Sequence, residues 1–326
     1  EAGRMCRMQA ISQSRYGLGE TLELVDIPKP VPKSKEVLVK VSAASVDAGV
    51  LHLMTGDIPM VRLIFGIRAP RSRPGISFSG TVAEVGSEVT GFEIGQTVFG
   101  TGSGAFAEFA LAKQDKLAVL PEGSDLALAS TLPVSASTAL QAVRDYGKIK
   151  SGQRVLVTGA SGGVGSFAVQ FAAQQGAIIT GVCTSDKQEF VSRFGASKTI
   201  DYKLEKINGV YDVIIDIASP LSLKETRKLL APGGTLVIVG AASKHGSSGM
   251  GRNLGASFIS SFVKESLVWF MQSENKDDLE KLSALLTQGK IQSVVDKVFP
   301  LEQTREAVEF FTSGKIKGKV VIQILP

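Results

Sequence analysis

Short alternating or apolar runs, separated by glycine and proline, fill the first third of the chain. Within Glu36–Ala43, valines occupy every second position and alternate with Leu38 and Lys40. This two-residue period predicts a strand with one face turned to a core. Similar runs bounded by glycine or proline are Met8–Gln13, Leu22–Ile27, Phe78–Val85, Thr97–Gly100 and Ala105–Leu111. Many short strands with glycine corners predict a partly closed antiparallel β-barrel.

The pattern changes after the first third to short, nearly continuous apolar runs that alternate with stretches of helical periodicity. The apolar runs are Arg154–Thr158, Ala177–Cys183, Thr199–Tyr202, Asp212–Ile217 and Thr235–Gly240. Strands alternating with helices predict βαβ units, and continuous apolar strands predict a parallel sheet covered on both faces. The second part is therefore expected to be a doubly wound α/β domain. Past residue 275 we expect helices over Asp278–Leu286 and Thr304–Thr312, and strands over Val294–Phe299 and Lys319–Leu325.

Composition supports an ordinary globular protein of about two domains. The chain has 326 residues, of which 44% are hydrophobic and 21% are charged. The 36 basic and 31 acidic residues give a net charge of +5 that is spread along the chain, so no nucleic-acid partner is expected. The cysteines Cys6 and Cys183 and the histidines His52 and His245 have no zinc-ligand spacing. We therefore expect no metal, no disulfide scaffold, and a reducing compartment such as the cytoplasm.

Two uncharged stretches, Leu126–Val143 and Val155–Ser185, are long enough to be compared with a membrane-spanning helix. The first contains several serines and threonines and is interrupted by Pro133, and the second contains a cluster of glycines. Neither is predominantly apolar, so both are expected to be buried elements. Glu1–Ala10 lacks the apolar segment of a signal peptide. The sequence therefore predicts no membrane partner.

A glycine-rich turn joins the strand Arg154–Thr158 to a helical run. The turn contains Ala160, Ser161, Gly162, Gly163, Val164 and Gly165. At the N-terminus of such a helix, free backbone N–H groups and the positive end of the helix dipole attract phosphate. Gly162 and Gly163 allow the backbone to approach a pyrophosphate, and Gly165 allows the helix to pack against the strand. The βαβ context favours a Rossmann dinucleotide site over the alternative, a tight turn with no ligand.

The end of the next strand distinguishes the two nicotinamide cofactors. An NAD site places an acidic residue here to bind the ribose hydroxyls. In this chain Ile178–Cys183 is followed by Thr184, Ser185, Asp186 and Lys187. The small neutral groups and the lysine suit the 2′-phosphate of NADPH, whereas Asp186 keeps NAD as an alternative. Lys187 could also be a solvated surface lysine.

Several stretches in order along the chain carry a family resemblance. They are Val41–Val46, Pro74–Gly80, Val85–Gly95, Gly104–Glu108, Leu132–Leu140 and the glycine turn. Together they resemble the zinc-free branch of the medium-chain dehydrogenase/reductase superfamily, in particular the NADPH-dependent, zeta-crystallin-like quinone oxidoreductases. The resemblance extends from Met8 to Leu325.

The resemblance implies a GroES-like β-barrel domain and a Rossmann domain with substrate bound between them. The barrel domain would comprise residues 1–131 and 275–326, and the Rossmann domain residues 132–274. The stretch Ser266–Gln272 resembles the edge strand through which such proteins commonly form homodimers. An exposed edge strand needs a partner, which dimerisation supplies.

The resemblance also assigns cofactor contacts. Lys187 and Tyr202 would bind the 2′-phosphate, with Thr184 or Ser185 assisting. Thr138 would lie near the nicotinamide. Backbone groups of Gly240, Ala241 and Ala242 would hold the carboxamide.

Two candidate catalytic residues depart from the family pattern. Asp47 stands where relatives often carry Asn, and His52 stands where quinone reductases often carry Tyr. His52 could donate a proton to the acceptor, or could be a polar residue at the cleft rim without a chemical role. Asp47 could hold the ribose or the nicotinamide. Alternatively, Ser45 or Asp47 could be the N-cap of a helix over Ala48–Met54.

The expected activity is NADPH-dependent reduction of quinones or α,β-unsaturated carbonyl compounds without zinc, with the proton supplied by His52 or water. Met60–Phe65 and Ile67 would form apolar walls of the substrate cleft, unless they belong to the ordinary core. The loop Ser243–Gly251 and Phe258 could cover this cleft. The alternatives are a non-catalytic nicotinamide-binding protein with a structural or regulatory role, and an alcohol dehydrogenase acting on carbonyls.

Overall fold

The computed structural model describes residues 6–240 and 264–325. By its internal contacts the chain divides into two compact units. The first, which we call the barrel unit, comprises Glu1–Val134 and Glu274–Pro326, and the second, the Rossmann unit, comprises Ser135–Ser273. Among the described residues, no helix combines the length and the apolar character that a membrane crossing requires.

The described elements follow the alternation expected from the sequence. The strands are β1 (Arg7–Gln13), β2 (Leu22–Pro28), β3 (Glu36–Val46), β4 (Ser77–Val85), β5 (Thr97–Thr101), β6 (Phe109–Lys113), β7 (Leu117–Val119), β8 (Arg154–Thr158), β9 (Ile178–Cys183), β10 (Lys198–Asp201), β11 (Tyr211–Asp216), β12 (Leu230–Val239), β13 (Ser266–Phe270), β14 (Val295–Pro300) and β15 (Lys319–Gln323). The α-helices are α1 (Ala48–Thr55), α2 (Pro59–Phe65), α3 (Leu126–Ala129), α4 (Ser137–Gln141), α5 (Gly163–Gln174), α6 (Gln188–Arg193), α7 (Leu223–Arg227), α8 (Lys276–Thr287) and α9 (Thr304–Thr312).

The barrel unit is built around β3. The sheet runs in the order β14-β15-β3-β4-β5-β7, and β6 pairs with β3. The alternation predicted for β3 is confirmed, because Val37, Val39 and Val41 are fully buried in the core while Lys40 is exposed. Leu38, on the other face, is also buried. Burying such side chains contributes about 1.5–3 kcal/mol each for the larger ones, so this strand organises the unit.

A buried ion pair joins the two chain segments of the barrel unit. Strand β15 pairs antiparallel with β3, and Val320 lies opposite Val46. The Lys319 ammonium, at the start of β15, donates a hydrogen bond to the Asp47 carboxylate, which directly follows β3. Both side chains are buried, and the Ser45 hydroxyl donates to the second Asp47 oxygen at 2.9 Å. The C-terminal segment is therefore held to the barrel by charge as well as by strand pairing.

The Rossmann unit has the predicted doubly wound parallel sheet. The strand order is β10-β9-β8-β11-β12-β13, and each pairing is parallel. The apolar residues Val155, Leu156 and Val157 of the central strand β8 are fully buried, as expected for a strand covered on both faces. Strand β13 lies at one edge of this sheet.

Several elements differ from the sequence-based expectation. Strand β6 begins at Phe109 rather than at Ala105, and the short elements β7, α3 and α4 were not predicted. Strand β12 begins at Leu230 rather than at Thr235, and its pairing with β11 is irregular between Tyr211 and Val213. The glycines Gly233 and Gly234 interrupt the apolar pattern there and hide the first part of the strand. The short helix α2 was not predicted as a helix, because its seven residues span fewer than two helical repeats.

We expect the buried pair to contribute strongly to stability. Replacing Lys319 by Met leaves the Asp47 carboxylate buried without its cation, which costs about 3–5 kcal/mol of unfolding free energy. The double variant Asp47→Asn/Lys319→Met removes both charges and should recover much of this loss. Urea denaturation at constant m-value measures both effects.

The matched control is Lys276→Met, which breaks the exposed pair between Lys276 and Glu280 in α8. An exposed pair of this kind contributes less than about 1 kcal/mol. Equal losses in Lys319→Met and Lys276→Met would show that the buried pair does not stabilise the barrel unit.

Candidate functional site

The glycine turn between β8 and α5 is shaped by a close backbone contact. Gly159 has a left-handed conformation (φ 66°), which directs the chain sharply out of the strand. A Cβ at Gly165 would collide with the carbonyl oxygen of Gly159, so only glycine allows the first turn of α5 to lie against the end of β8. Gly162 is the N-cap residue, and no side chain caps α5. The first-turn N–H groups from Gly163 onward have no acceptor inside the helix.

The turn is also anchored to the neighbouring strands. The Ala160 N–H donates to the Val182 carbonyl of β9 at 3.1 Å. On the other side, the Thr158 hydroxyl donates to Asp216 of β11 at 2.9 Å and accepts from the Ile217 N–H at 3.0 Å. The amide of Ala160 is therefore used within the protein. The N–H groups of Gly163, Val164 and Gly165, in the first turn of α5, have no acceptor within the helix and are the ones that could bind a phosphate.

At the ends of β9 and β10, the hydroxyls of Thr184 and Ser185 donate hydrogen bonds to two carboxylates. Cys183 and Asp201 lie opposite each other in the parallel pair of strands. The Ser185 hydroxyl and N–H both donate to Asp201, the N–H at 2.7 Å. The Ser185 hydroxyl bond, followed by the Lys203 N–H, holds the pKa of the Asp201 carboxyl below its usual value. Thr184 similarly donates to Asp186 at 2.6 Å.

Lys187 lies in the same place and is buried. Its exposed fraction is 7%, so the alternative of a solvated surface lysine is wrong. Its charge reaches the neighbouring thiol: burial raises the pKa of Cys183 to about 11, Asp201 and Asp186 add to this effect, and the Lys187 ammonium opposes it. Tyr202, which follows β10, is partly buried against the apolar core of the Rossmann unit. The residues predicted to bind a 2′-phosphate thus lie together at the carboxyl ends of β9 and β10.

The predicted nicotinamide contacts belong to two connected segments. Thr138 is buried in α4, and its hydroxyl donates to the Gln272 side chain at 3.4 Å. Gln141, one turn further, donates to the Ser273 carbonyl at 2.7 Å and accepts from the Ser273 N–H at 3.0 Å. Helix α4 is thereby fixed to the segment that follows β13.

Gly240 closes β12 in a left-handed conformation (φ 72°). Its carbonyl accepts a hydrogen bond from the Trp269 indole at 3.0 Å. Ala241 and Ala242 lie outside the described residues, as do the loop Ser243–Gly251 and Phe258.

In the barrel unit, Asp47 occupies the N-cap position of α1 but makes no capping hydrogen bond. The alternative that Asp47 is the N-cap residue of α1 is therefore confirmed for its position, but its carboxylate binds Lys319 rather than a backbone N–H of the helix. Ser45 does not cap the helix either, since its hydroxyl donates to Asp47. Asp47 is thus a buried, charge-paired residue at the end of β3.

His52 forms a dyad with a residue that the sequence analysis missed. Its Nδ1 lies 3.0 and 3.1 Å from the two carboxylate oxygens of Asp57. An ionised carboxylate only accepts hydrogen bonds, so Nδ1 carries a proton and Nε2 is left for another partner. Helix α1 ends at Gly56 (φ 57°), which turns the chain back and brings Asp57 to His52. The sequence signal for this pair is the pattern His-x-x-x-Gly-Asp, in which Gly56 ends the helix and Asp57 follows it.

Metal-ligating side chains are not grouped in the described residues, where no three of His, Cys, Asp and Glu come together as a possible metal site. Cys183 is buried with a raised pKa of about 11 and is therefore a protonated thiol at neutral pH. Cys6 is exposed.

Comparisons with known proteins agree with this architecture. Residues 33–122 match the alcohol dehydrogenase GroES-like domain, and residues 194–322 match a zinc-binding dehydrogenase domain. The chain is 31% identical over 339 aligned residues to the chloroplast envelope quinone oxidoreductase homolog of Arabidopsis thaliana, covering 99% of each chain. The quinone oxidoreductase structure from Coxiella burnetii superposes with a TM-score of 0.85 at 26% identity, covering 98% of this chain and 100% of that one.

The fold is also that of Escherichia coli quinone oxidoreductase, whose structure was solved in complex with NADPH. That similarity has a TM-score of 0.84 at 22% identity and covers 97% of this chain and 100% of that one. A GroES-like unit followed by a Rossmann sheet defines a medium-chain dehydrogenase/reductase, which is a class of oxidoreductases. Within this class, the chain belongs to the quinone oxidoreductase family.

The dyad predicts the tautomer of His52. In wild-type protein at a pH where the imidazole is neutral, we expect the proton on Nδ1 and an unprotonated Nε2. Asp57→Ala should shift His52 toward the Nε2–H form that free histidine favours. Nitrogen-15 NMR distinguishes the two forms, and assignment is simple because His52 and His245 are the two histidines of the chain.

Asp277→Ala, at an exposed acid of α8, is the control and should leave the spectrum unchanged. A wild-type His52 in the Nε2–H form, or one that does not respond to Asp57→Ala, would contradict the dyad.

Proposed function

We propose that the protein reduces quinones or α,β-unsaturated carbonyl compounds with NADPH and without a metal. The observation that carries this proposal is the cluster at the ends of β9 and β10. There a buried Lys187 lies in a loop whose hydroxyls already occupy the carboxylates of Asp186 and Asp201. The Asp186 carboxylate accepts a hydrogen bond from the Thr184 hydroxyl, so one of its oxygens is already used within the loop. An acidic residue engaged in this way is less suited to bind the ribose hydroxyls of NAD, which favours the 2′-phosphate of NADPH as the ligand.

The glycine turn fits the pyrophosphate of the same cofactor. A Cβ at Gly165 would force α5 away from β8, whereas glycine keeps the uncapped helix N-terminus at the end of the strand. Amides of Gly163, Val164 and Gly165 would hold phosphate oxygens there. Lys187 and Tyr202 would hold the 2′-phosphate, with Thr184 and Ser185 beside them. Thr138 and Gly240 would border the nicotinamide.

When bound, the reduced nicotinamide supplies a hydride ion. A conjugated acceptor delocalises the charge that develops on it, so it needs less electrophilic assistance than an isolated carbonyl. The protein's contribution is then mainly to position the two reactants. The two cysteines and two histidines of the sequence lack zinc-ligand spacing, which supports a reaction without zinc.

His52 is the residue that we propose as the proton donor. In the imidazolium form both ring nitrogens carry protons, and Asp57 accepts from Nδ1 while Nε2–H donates to the oxygen of the reduced acceptor. The neighbouring carboxylate fixes the orientation of the ring. Solvent water then returns the proton to His52 between turnovers.

We also propose a homodimer through strand β13 and the residues to Gln272. Within the described sheet, β13 pairs with β12 through one edge. Pairing with a second copy through this strand would continue the sheet from one subunit into the other, which is one way in which proteins protect an edge strand. Met271, which follows the strand, is a large exposed apolar residue that such an interface would cover.

The direct test is oxidation of NADPH and NADH, in parallel, with 9,10-phenanthrenequinone and with a short enone as acceptors. Wild-type protein should turn over with NADPH and weakly with NADH. Lys187→Met should raise the KM for NADPH about 10- to 100-fold, as expected for a lost charged hydrogen bond, and leave the KM for NADH unchanged.

Lys198→Met removes an exposed lysine on the neighbouring strand β10 and serves as the control, with no change expected. Turnover with NADH in Lys187→Met also verifies that the variant is folded. A wild-type preference for NADH would mean that Asp186 holds the ribose. Cofactor binding without turnover on either acceptor would instead favour a non-catalytic or highly selective protein.

A further inference from the structure

An unusual surface patch covers α2 and the turn that follows it in the barrel unit. Leu63, Ile64 and Ile67 are 71%, 60% and 72% exposed. The alternative that they belong to the ordinary core is therefore wrong. Exposed single aliphatic residues are normal, but three within five positions concentrate exposed apolar surface on one short segment. We call this surface, together with the arginines described next, the basic apolar patch.

The same segment carries positive charge without any acidic residue. From Ile58 to Ala83 the chain contains four arginines and no Asp or Glu. Arg62 lies over the Tyr16 ring at 4.6 Å and donates to the Gly56 carbonyl at 2.7 Å. The other three, in the part of the chain that the structure describes, form no ion pair: Arg68, Arg71 and Arg73. Arg68 and Arg71 are exposed, and Arg73 is partly buried.

The backbone brings the apolar and basic side chains into one place. Helix α2 ends at Gly66 (φ 129°), and the Arg71 N–H returns to the Phe65 carbonyl at 2.7 Å. This turn places Ile67 and its flanking arginines beside the C-terminal end of α2. The Tyr16 hydroxyl donates to the Gly66 carbonyl at 2.5 Å, which fixes the turn to the body of the barrel unit. The patch is therefore a formed surface of the protein.

We propose that the basic apolar patch docks the protein on an anionic membrane surface. Aliphatic side chains flanked by cations are the chemistry of interfacial binding: the apolar groups enter the headgroup region, and the arginines bind lipid phosphates. Wall residues of a quinone cleft would not need the unpaired arginines, and a nucleic acid would not need the exposed aliphatic groups. The expectation of no membrane partner was based on the lack of a spanning segment, which interfacial docking does not require.

This docking goes beyond the proposed activity and is tested independently of it. The experiment is co-sedimentation of the full chain with phosphatidylcholine vesicles, with and without phosphatidylglycerol, at low and high salt. We expect binding to the anionic vesicles that weakens as salt increases. Arg68→Gln/Arg71→Gln should lower the partition coefficient about 25-fold, or roughly fivefold for each arginine.

Ile64→Ser/Ile67→Ser should weaken the binding that remains at high salt, because that part is apolar. The matched controls are Lys224→Gln/Lys228→Gln, which makes the same change in charge at exposed lysines, and Ile94→Ser/Leu204→Ser, at exposed aliphatic residues elsewhere. Both controls should bind like wild type. The arginine variant and both control variants should keep wild-type turnover of NADPH with a water-soluble quinone, so a failure of the proposed activity is seen separately from a failure of docking. For the isoleucine variant, an unchanged circular dichroism spectrum shows that the fold is kept.

Three results would overturn docking through this patch. One is equal binding of wild-type protein to neutral and anionic vesicles, or no binding to either. Another is an equal loss of binding in the control variants. The third is tight binding of an oligonucleotide that is lost in the arginine variant, unaffected in the isoleucine variant, and unmatched by any vesicle binding.

Discussion

The contact between the first turn of α5 and the end of β8 is the constraint on which the Rossmann unit depends. Because Gly165 has no side chain, the first turn of α5 packs directly against the Gly159 carbonyl. The free N–H groups of this turn therefore lie at the carboxyl edge of the sheet. Hydrogen bonds from Ala160 to β9 and from Thr158 to β11 then fix the turn between its neighbouring strands. The glycine turn is thus positioned by backbone packing, and in the proposed site the choice between the two cofactors depends on the loops that follow β9 and β10.

Buried charge is handled in a similar way in both units. Asp47 and Lys319 neutralise each other where the C-terminal segment joins the barrel. At the ends of β9 and β10, Ser185 stabilises the charge of Asp201, and the buried Lys187 acts electrostatically on the nearby Cys183. Buried charges without partners are costly, so these groups hold the backbone in one arrangement. In the Rossmann unit the same arrangement places the buried Lys187 in the loop that we propose binds the 2′-phosphate of NADPH.

Local patterns in the sequence predicted most of the architecture. The valine alternation of β3, the apolar strand β8 and the glycine turn depend on residues that are close in sequence, and the structure contains them as expected. The Asp47–Lys319 pair joins residues 272 positions apart, which no local period can indicate. The exposure of Leu63, Ile64 and Ile67 was also hidden, because an apolar run of this length is compatible with a core, a cleft or a surface. The His52–Asp57 pair depended on recognising a glycine that ends a helix.

Delivery of hydride to a conjugated carbon is the central chemical claim, and isotope transfer tests it most directly. The measurement uses NADPH carrying two deuterium atoms at nicotinamide C4, a short enone as acceptor, and mass and NMR analysis of the product. The proposed reaction gives a saturated ketone with one deuterium on its β-carbon, while the proton on the α-carbon comes from solvent. An allylic alcohol with deuterium on the former carbonyl carbon would show the chemistry of an alcohol dehydrogenase, and a product without deuterium would contradict direct hydride transfer.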